Sequence, residues 1–166
     1  MSILMILSFP LAFLIHEMEE ILLLHKWMSA HKEDLLRRFL KLQPMILHLS
    51  SLNTKAFTIA VMEELVLLLL ATAYYLADGS YAFEIWAALF VAFSVHLVVH
   101  IGQGIIIRDY VPGLITSILL LPYSCYGISS ICQEMSPGKL ILLGVIGFVA
   151  IVVNLWFAHW LGKKFQ

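Results

Sequence analysis

The chain of 166 residues is 61% hydrophobic and 13% charged, more apolar and less charged than soluble domains, which excludes a soluble globular protein. Ten basic residues against eleven acidic ones give a net charge of −1, so no positive field is present to hold nucleic acid. The length suits one bilayer-embedded domain, because each crossing takes roughly 20 apolar residues.

In chain order, the first apolar run is Ile3–His25. The residues before it lack the positive segment and small-residue cleavage site of a secretory signal, so the run is expected to remain as a span. His31–Gln43 follows, with Leu35, Leu36 and Phe39 at helical spacing and charges opposite them; this predicts a short interfacial helix ending near Pro44. Four further spans are predicted at Lys55–Ala77, Phe83–Ile107, Gly113–Ile131 and Lys139–Leu161. The turns between them are Asp78-Gly79-Ser80, Tyr110–Gly113 and Ser136-Pro137-Gly138. The expected fold is therefore all-α, a polytopic membrane bundle of about five transmembrane helices and one interfacial helix. Cys125 and Cys132 are expected to pack as apolar side chains without a disulfide.

Basic residues near span ends favour the cytoplasm. With the N-terminus outside, Lys26, Lys32, Arg37, Arg38, Lys41, Lys55, Arg108, Lys163 and Lys164 fall inside and Lys139 alone falls outside. An integral protein of the plasma or inner membrane with a cytoplasmic C-terminus is the expectation. Arg108 and Tyr110 serve as inner interfacial anchors and Trp86 as an outer one.

Ionisable residues inside apolar spans mark function. The first span holds His16, Glu17, Glu19 and Glu20, the second Glu63 and Glu64, the third His96 and His100. Counted from the basic residues at the inner ends, all lie about 10–18 Å deep, at one level. His16, Glu19 and Glu20 share a helix face, as do His96 and His100. Glu63 and Glu64 differ by about 100° around their helix, so one points into the cluster, and the sequence leaves open which.

No Lys or Arg sits at this level, and unpaired carboxylates in an apolar medium are costly. Divalent metal answers that cost. His16, Glu19, Glu20, Glu63, His96 and His100 are the candidate ligands, enough for two ions, with Glu64 and Glu17 as catalytic carboxylates that move protons. The many carboxylates favour iron, while zinc and manganese also suit mixed Glu and His donors. Asn154 and Thr116 lie at the same depth and Gln103 one turn beyond His100; all three are candidates to orient a ligand or substrate. The setting implies membrane lipids as neighbours and a small hydrophobic substrate, lipid-like or isoprenoid-like. The expected function is a membrane-embedded metalloenzyme. The alternative is a cation- or proton-coupled transporter using the same cluster, and a third reading is a purely structural hydrogen-bonded network. The string His16-Glu17-Met18-Glu19-Glu20 departs from the zinc-protease pattern H-E-x-x-H at its last ligand, which argues against that class.

His16-Glu17-Met18-Glu19-Glu20, with Phe57 to Glu64, His96-x-x-x-His100 and Tyr110-x-Pro112-Gly113-x-x-Thr116, resembles the HXXEE-domain membrane proteins over nearly the whole chain. The resemblance implies a small integral membrane protein and supports the positions of the site residues. It supplies no reaction.

Overall fold

The computed structural model describes residues 2–164. Its helices are α1 Ile3–Arg38, α2 Gln43–Ser51, α3 Thr54–Leu76, α4 Ala82–Ile107, α5 Leu114–Glu134 and α6 Pro137–Lys163, with a 3₁₀ turn at Leu40–Leu42. Among the described residues there is no strand.

Local chemistry sets the boundaries. Ser2 caps α1 by accepting from the Met5 amide, and Asn53 caps α3 by accepting from Ala56 N at 2.8 Å. Pro44 sits in the first turn of α2 and Pro137 opens α6, positions where the missing N–H costs nothing. Arg108 at the C-cap of α4 (φ 61°) and Gly113 before α5 (φ 87°) take left-handed conformations that reverse the chain between the two helices.

α3, α4, α5 and the Pro137–Ala158 part of α6 are long and apolar enough to cross a membrane. α1 is not among them, because its apolar half also carries Glu17, Glu19 and Glu20. The chain is thus a membrane protein by its helices, and the fifth crossing is left to the placement of α1. The expected break between Ile3–His25 and a separate interfacial helix at His31–Gln43 is absent: α1 runs unbroken for 36 residues. The reason is chemical, since residues 26–30 contain neither Gly nor Pro and nothing stops the helix until Phe39. Pro44 likewise starts a helix instead of ending one.

α4 packs against α3, α5 and α6, while α1 packs against α2, α3 and α5. α1 meets α4 through long side chains. Phe9 lies edge-on to Trp86 and Phe90, with centroids 5.4 and 5.0 Å apart, and Trp86 stacks on Phe90. Trp86, expected at an interface, is fully buried in this aromatic core. A Cβ on Gly127 would overlap Met5 and Phe90, so the missing side chain lets α5 close on this core. A second apolar cluster, Met28, Leu35 and Ile46, joins the C-terminal half of α1 to α2. There Arg38 donates to the carbonyls of Ile106 and Ile107, tying the end of α1 to the end of α4. Cys125 and Cys132 are free and exposed on α5 instead of packed.

Candidate metal centre

Two helices bring four donors together. His16 and Glu20 lie one turn apart on α1, His96 and His100 one turn apart on α4, so each pair projects from a single face. Glu20 Oε1 is the focus: His100 Nε2 stands 2.7 Å away, and His16 Nε2 and His96 Nε2 both stand 3.5 Å away. His96 and His100 approach each other at 3.1 Å between Nε2 atoms. One ligand atom from each of the four residues falls within 4.8 Å of every other. His16, Glu20 and His100 are buried and His96 is half-buried. Around a tetrahedral ion with bonds of about 2.0–2.1 Å, donors lie about 3.3 Å apart, so the observed spacings fit one ion.

The polarity of the donors fits as well. Among the described residues, no Lys or Arg forms an ion pair with Glu17, Glu19, Glu20, Glu63 or Glu64. His16 Nε2 is buried without a hydrogen-bond partner, and it faces a Glu20 Oε1 that is also buried, with His100 Nε2 2.7 Å away. The protonation of His16 follows from its other nitrogen. Thr116 Oγ1 donates to Glu19 Oε2 at 2.6 Å, so its lone pair accepts from His16 Nδ1–H at 2.9 Å. Nε2 of His16 is then a bare lone pair aimed at Glu20, an arrangement that a cation between them would satisfy.

Glu19, an expected ligand, lies outside this group. Its carboxylate caps α5, accepting from Thr116 N at 2.8 Å, Ile115 N at 3.3 Å and Tyr110 Oη at 2.5 Å. A carboxylate suits a helix N-terminus because free amides and the helix dipole meet it there. Burial, then the Glu19 carboxylate, pushes the Tyr110 hydroxyl above its ordinary range and keeps it a donor. Tyr110, expected as an anchor at the inner surface, is therefore a positioning residue.

Glu63 is also outside the four-donor group, where Asn154 Nδ2 donates to it at 3.0 Å. Asn154 thereby joins α6 to α3. Glu64 turns inward, lining both cavities beside the cluster, and its Oε1 is buried and unpartnered. Glu17 is buried with Oε1 3.9 Å from His96 Nε2. Gln103 lines the cavity next to His100, and Arg108 is exposed at the end of α4. The expectation of two ions finds no support: among the described residues one group of donors that could hold an ion is formed.

Gly113 escaped the sequence reading as part of the site. A Cβ there would come within 2.8 Å of His100 Nδ1 and 3.1 Å of Glu20 Oε1, so only glycine lets the α5 turn close over both side chains. The signal was present in the run Tyr110-x-Pro112-Gly113-x-x-Thr116, whose spacing places a turn, a glycine and an N-terminal hydroxyl in sequence.

Two cavities flank the cluster. One of about 280 Å³ runs toward the start of α1 between Phe9, Phe13, Leu68 and Phe93. The other, about 360 Å³, runs the opposite way between Trp27, Met28, Phe39 and Ile46. Glu17, Glu64 and His96 line both.

Residues 7–127 match the model of a protein family of unknown function with an HXXEE motif. The chain belongs to the HXXEE family. No curated protein and no solved structure matches it. The family match ends within α5, short of the nearly full-length resemblance read from the sequence. In this HXXEE chain the three named letters divide their work: His16 and Glu20 face the centre, while Glu19 seats α5 and, through Thr116, fixes the ring of His16.

Proposed function

We propose that this protein is a membrane-embedded metal-dependent enzyme acting on a lipid-like substrate. One observation carries the reading: three imidazole nitrogens surround a single buried carboxylate oxygen with no cationic side chain among them, at the junction of two apolar cavities. A hydrogen-bonded network alone would leave the buried His16 Nε2 lone pair facing the Glu20 carboxylate, at a cost of roughly 1–3 kcal/mol for that unsatisfied group, even with His100 Nε2 2.7 Å from Glu20 Oε1.

Three imidazoles and one carboxylate change the choice of metal. The reason for favouring iron was the number of carboxylates, and most of these lie outside the donor group. Imidazole-rich sites suit zinc at least as well, and zinc is the ion we assign. Four protein donors would fill a tetrahedral zinc, so such an ion would supply Lewis acidity only by expanding to a fifth ligand, a place that a water or substrate oxygen would take. The chain's own part is clearer. His16, Glu20, His96 and His100 would hold the ion, Thr116 orients His16, and Glu17 and Glu64 provide carboxyl groups for proton transfer. Phe9, Phe13 and Phe93 exclude water from the cavity in which they act. Hydrolysis or isomerisation is the reaction class that follows.

The inner-facing basic residues support an outside N-terminus and a cytoplasmic C-terminus, with α1 as the fifth crossing. A second reading has one specific support: the two cavities share Glu17, Glu64 and His96, as the station of a cation pathway would.

Elemental analysis of detergent-purified protein, made without a metal-affinity tag, tests the reading. About one zinc per chain, lost in His16→Ala, Glu20→Ala and His100→Ala and kept in Glu63→Ala, is the expected result. Absence of metal from wild-type protein would overturn it. Metal that exchanges within seconds and crosses vesicle membranes would favour the transporter.

A further inference from the structure

We propose that the ligand is a single long-chain amphiphile whose polar group lies within the chain, with one apolar arm in each cavity. The inference rests on the proposed enzyme reading only in taking the cluster as the place where substrate is met. Three features of the cavities carry it.

The first is their arrangement. Each cavity is lined mostly by apolar side chains, the first also by Asn154 and the second by Glu20, His100 and Gln103, and the polar residues common to both are Glu17, Glu64 and His96. A ligand with its polar group at one end could fill one cavity and would leave the other without an occupant. A ligand with its polar group in mid-chain matches apolar, polar and apolar surface in turn. The second is size. A cavity of about 150 Å³ takes a six-carbon ring; by that scale, the cavities of about 280 Å³ and 360 Å³ take roughly 11 and 14 carbons. The third is hydrogen-bonding capacity at the junction. Glu17 is 5% exposed, and Glu64 Oε1 is buried without a partner. A hydroxyl or carbonyl-bearing group held there would meet a donor or acceptor, whereas a plain hydrocarbon would leave both carboxyl groups unpaired. Along the second cavity Gln103 and the buried, unpartnered Trp27 Nε1 add polar atoms, but carboxyl groups are confined to the shared region, and Phe9 and Phe39 are among the residues lining the far parts.

The test uses alcohols of 24 carbons with the hydroxyl at mid-chain or at the end, and a 12-carbon terminal alcohol, competing with a fluorescent long-chain alcohol on the full chain in maltoside. The mid-chain isomer should bind at least tenfold more tightly than either of the others. Ala92→Phe fills the first cavity and Ala60→Phe the second; each should remove that advantage while thermal unfolding and metal content stay near wild type. Two separate variants guard against one failing to fold. Equal affinity for the three alcohols, or tighter binding of the terminal isomer, would overturn the inference. The metal content of the same samples separates the two proposals: a mid-chain preference in metal-free protein leaves this inference standing and removes the metalloenzyme, and metal without the preference does the reverse.

Discussion

Thr116→Val isolates the positioning of His16. Valine keeps the branched shape of threonine and removes Oγ1, which lies 2.9 Å from His16 Nδ1 and 2.6 Å from Glu19 Oε2. Glu19 remains seated after the change, because Thr116 N, Ile115 N and Tyr110 Oη still donate to it. The loss therefore falls on His16, whose Nδ1–H is left buried without an acceptor and whose proton is free to move to Nε2, closing the lone pair that faces the centre. Removing such an outer partner of a histidine ligand typically costs 10–100-fold in metal affinity, which is about 1.4–2.8 kcal/mol. Competition with a series of chelators on detergent-solubilised protein gives the affinity directly. Thr116→Ser restores the hydroxyl and should return it to within a few-fold of wild type. Zinc affinity of the valine variant within about twofold of wild type, or serine as weak as valine, would refute the role assigned to this hydroxyl.

Gly113→Ala should lower both thermal stability and metal content, because the residue sits at φ 87° and the added Cβ meets His100 and Glu20; the left-handed backbone alone costs about 1–2 kcal/mol, read as a lower unfolding midpoint. Tyr110→Phe removes a 2.5 Å bond to a carboxylate and should destabilise by about 1.5–3 kcal/mol, read as a lower unfolding midpoint. Glu63→Ala should leave metal content unchanged and cost only about 1 kcal/mol, since it breaks the single bond from Asn154. Lys139→Ala should shift stability by less than about 1 kcal/mol: its 2.7 Å pair with Glu84 lies at the surface, where solvent screens it.

Much of this architecture was legible in the residues. Long apolar runs bounded by Asn53, Gly113 and Pro137 define helices whose ends chemistry dictates, and four of them lie close to their predicted limits. His16 with Glu20 and His96 with His100 were legible for the same reason: spacing of one turn fixes a common face whatever the tertiary fold. Other features depend on partners distant in sequence. Glu19 and Glu20 both lie near the face of His16, and only the approach of α5 separates a helix cap from a ligand. Glu63 and Glu64 are distinguished by where α6 brings Asn154. The unbroken α1 was misread because a change from apolar to charged residues looks like a boundary, whereas a helix ends only where backbone hydrogen bonding or a breaker ends it. Trp86 shows a similar limit, since an aromatic residue near a helix start suits an interface and a core equally until its neighbours are known.

The continuity of α1 has a mechanical meaning. At 1.5 Å per residue its 36 residues form a rod of about 54 Å, well beyond the roughly 30 Å of a hydrocarbon core. Such a rod must tilt or project, and its far end is pinned to α4 by Arg38. Two donors ride near its middle and the opposing two ride on α4, so a change of tilt alters the gap between the pairs like the jaws of pliers. On the proposed reading, with α1 as a crossing and an ion between the two pairs, reconstitution in short-chain or long-chain lipids should change the rate of metal release without any mutation.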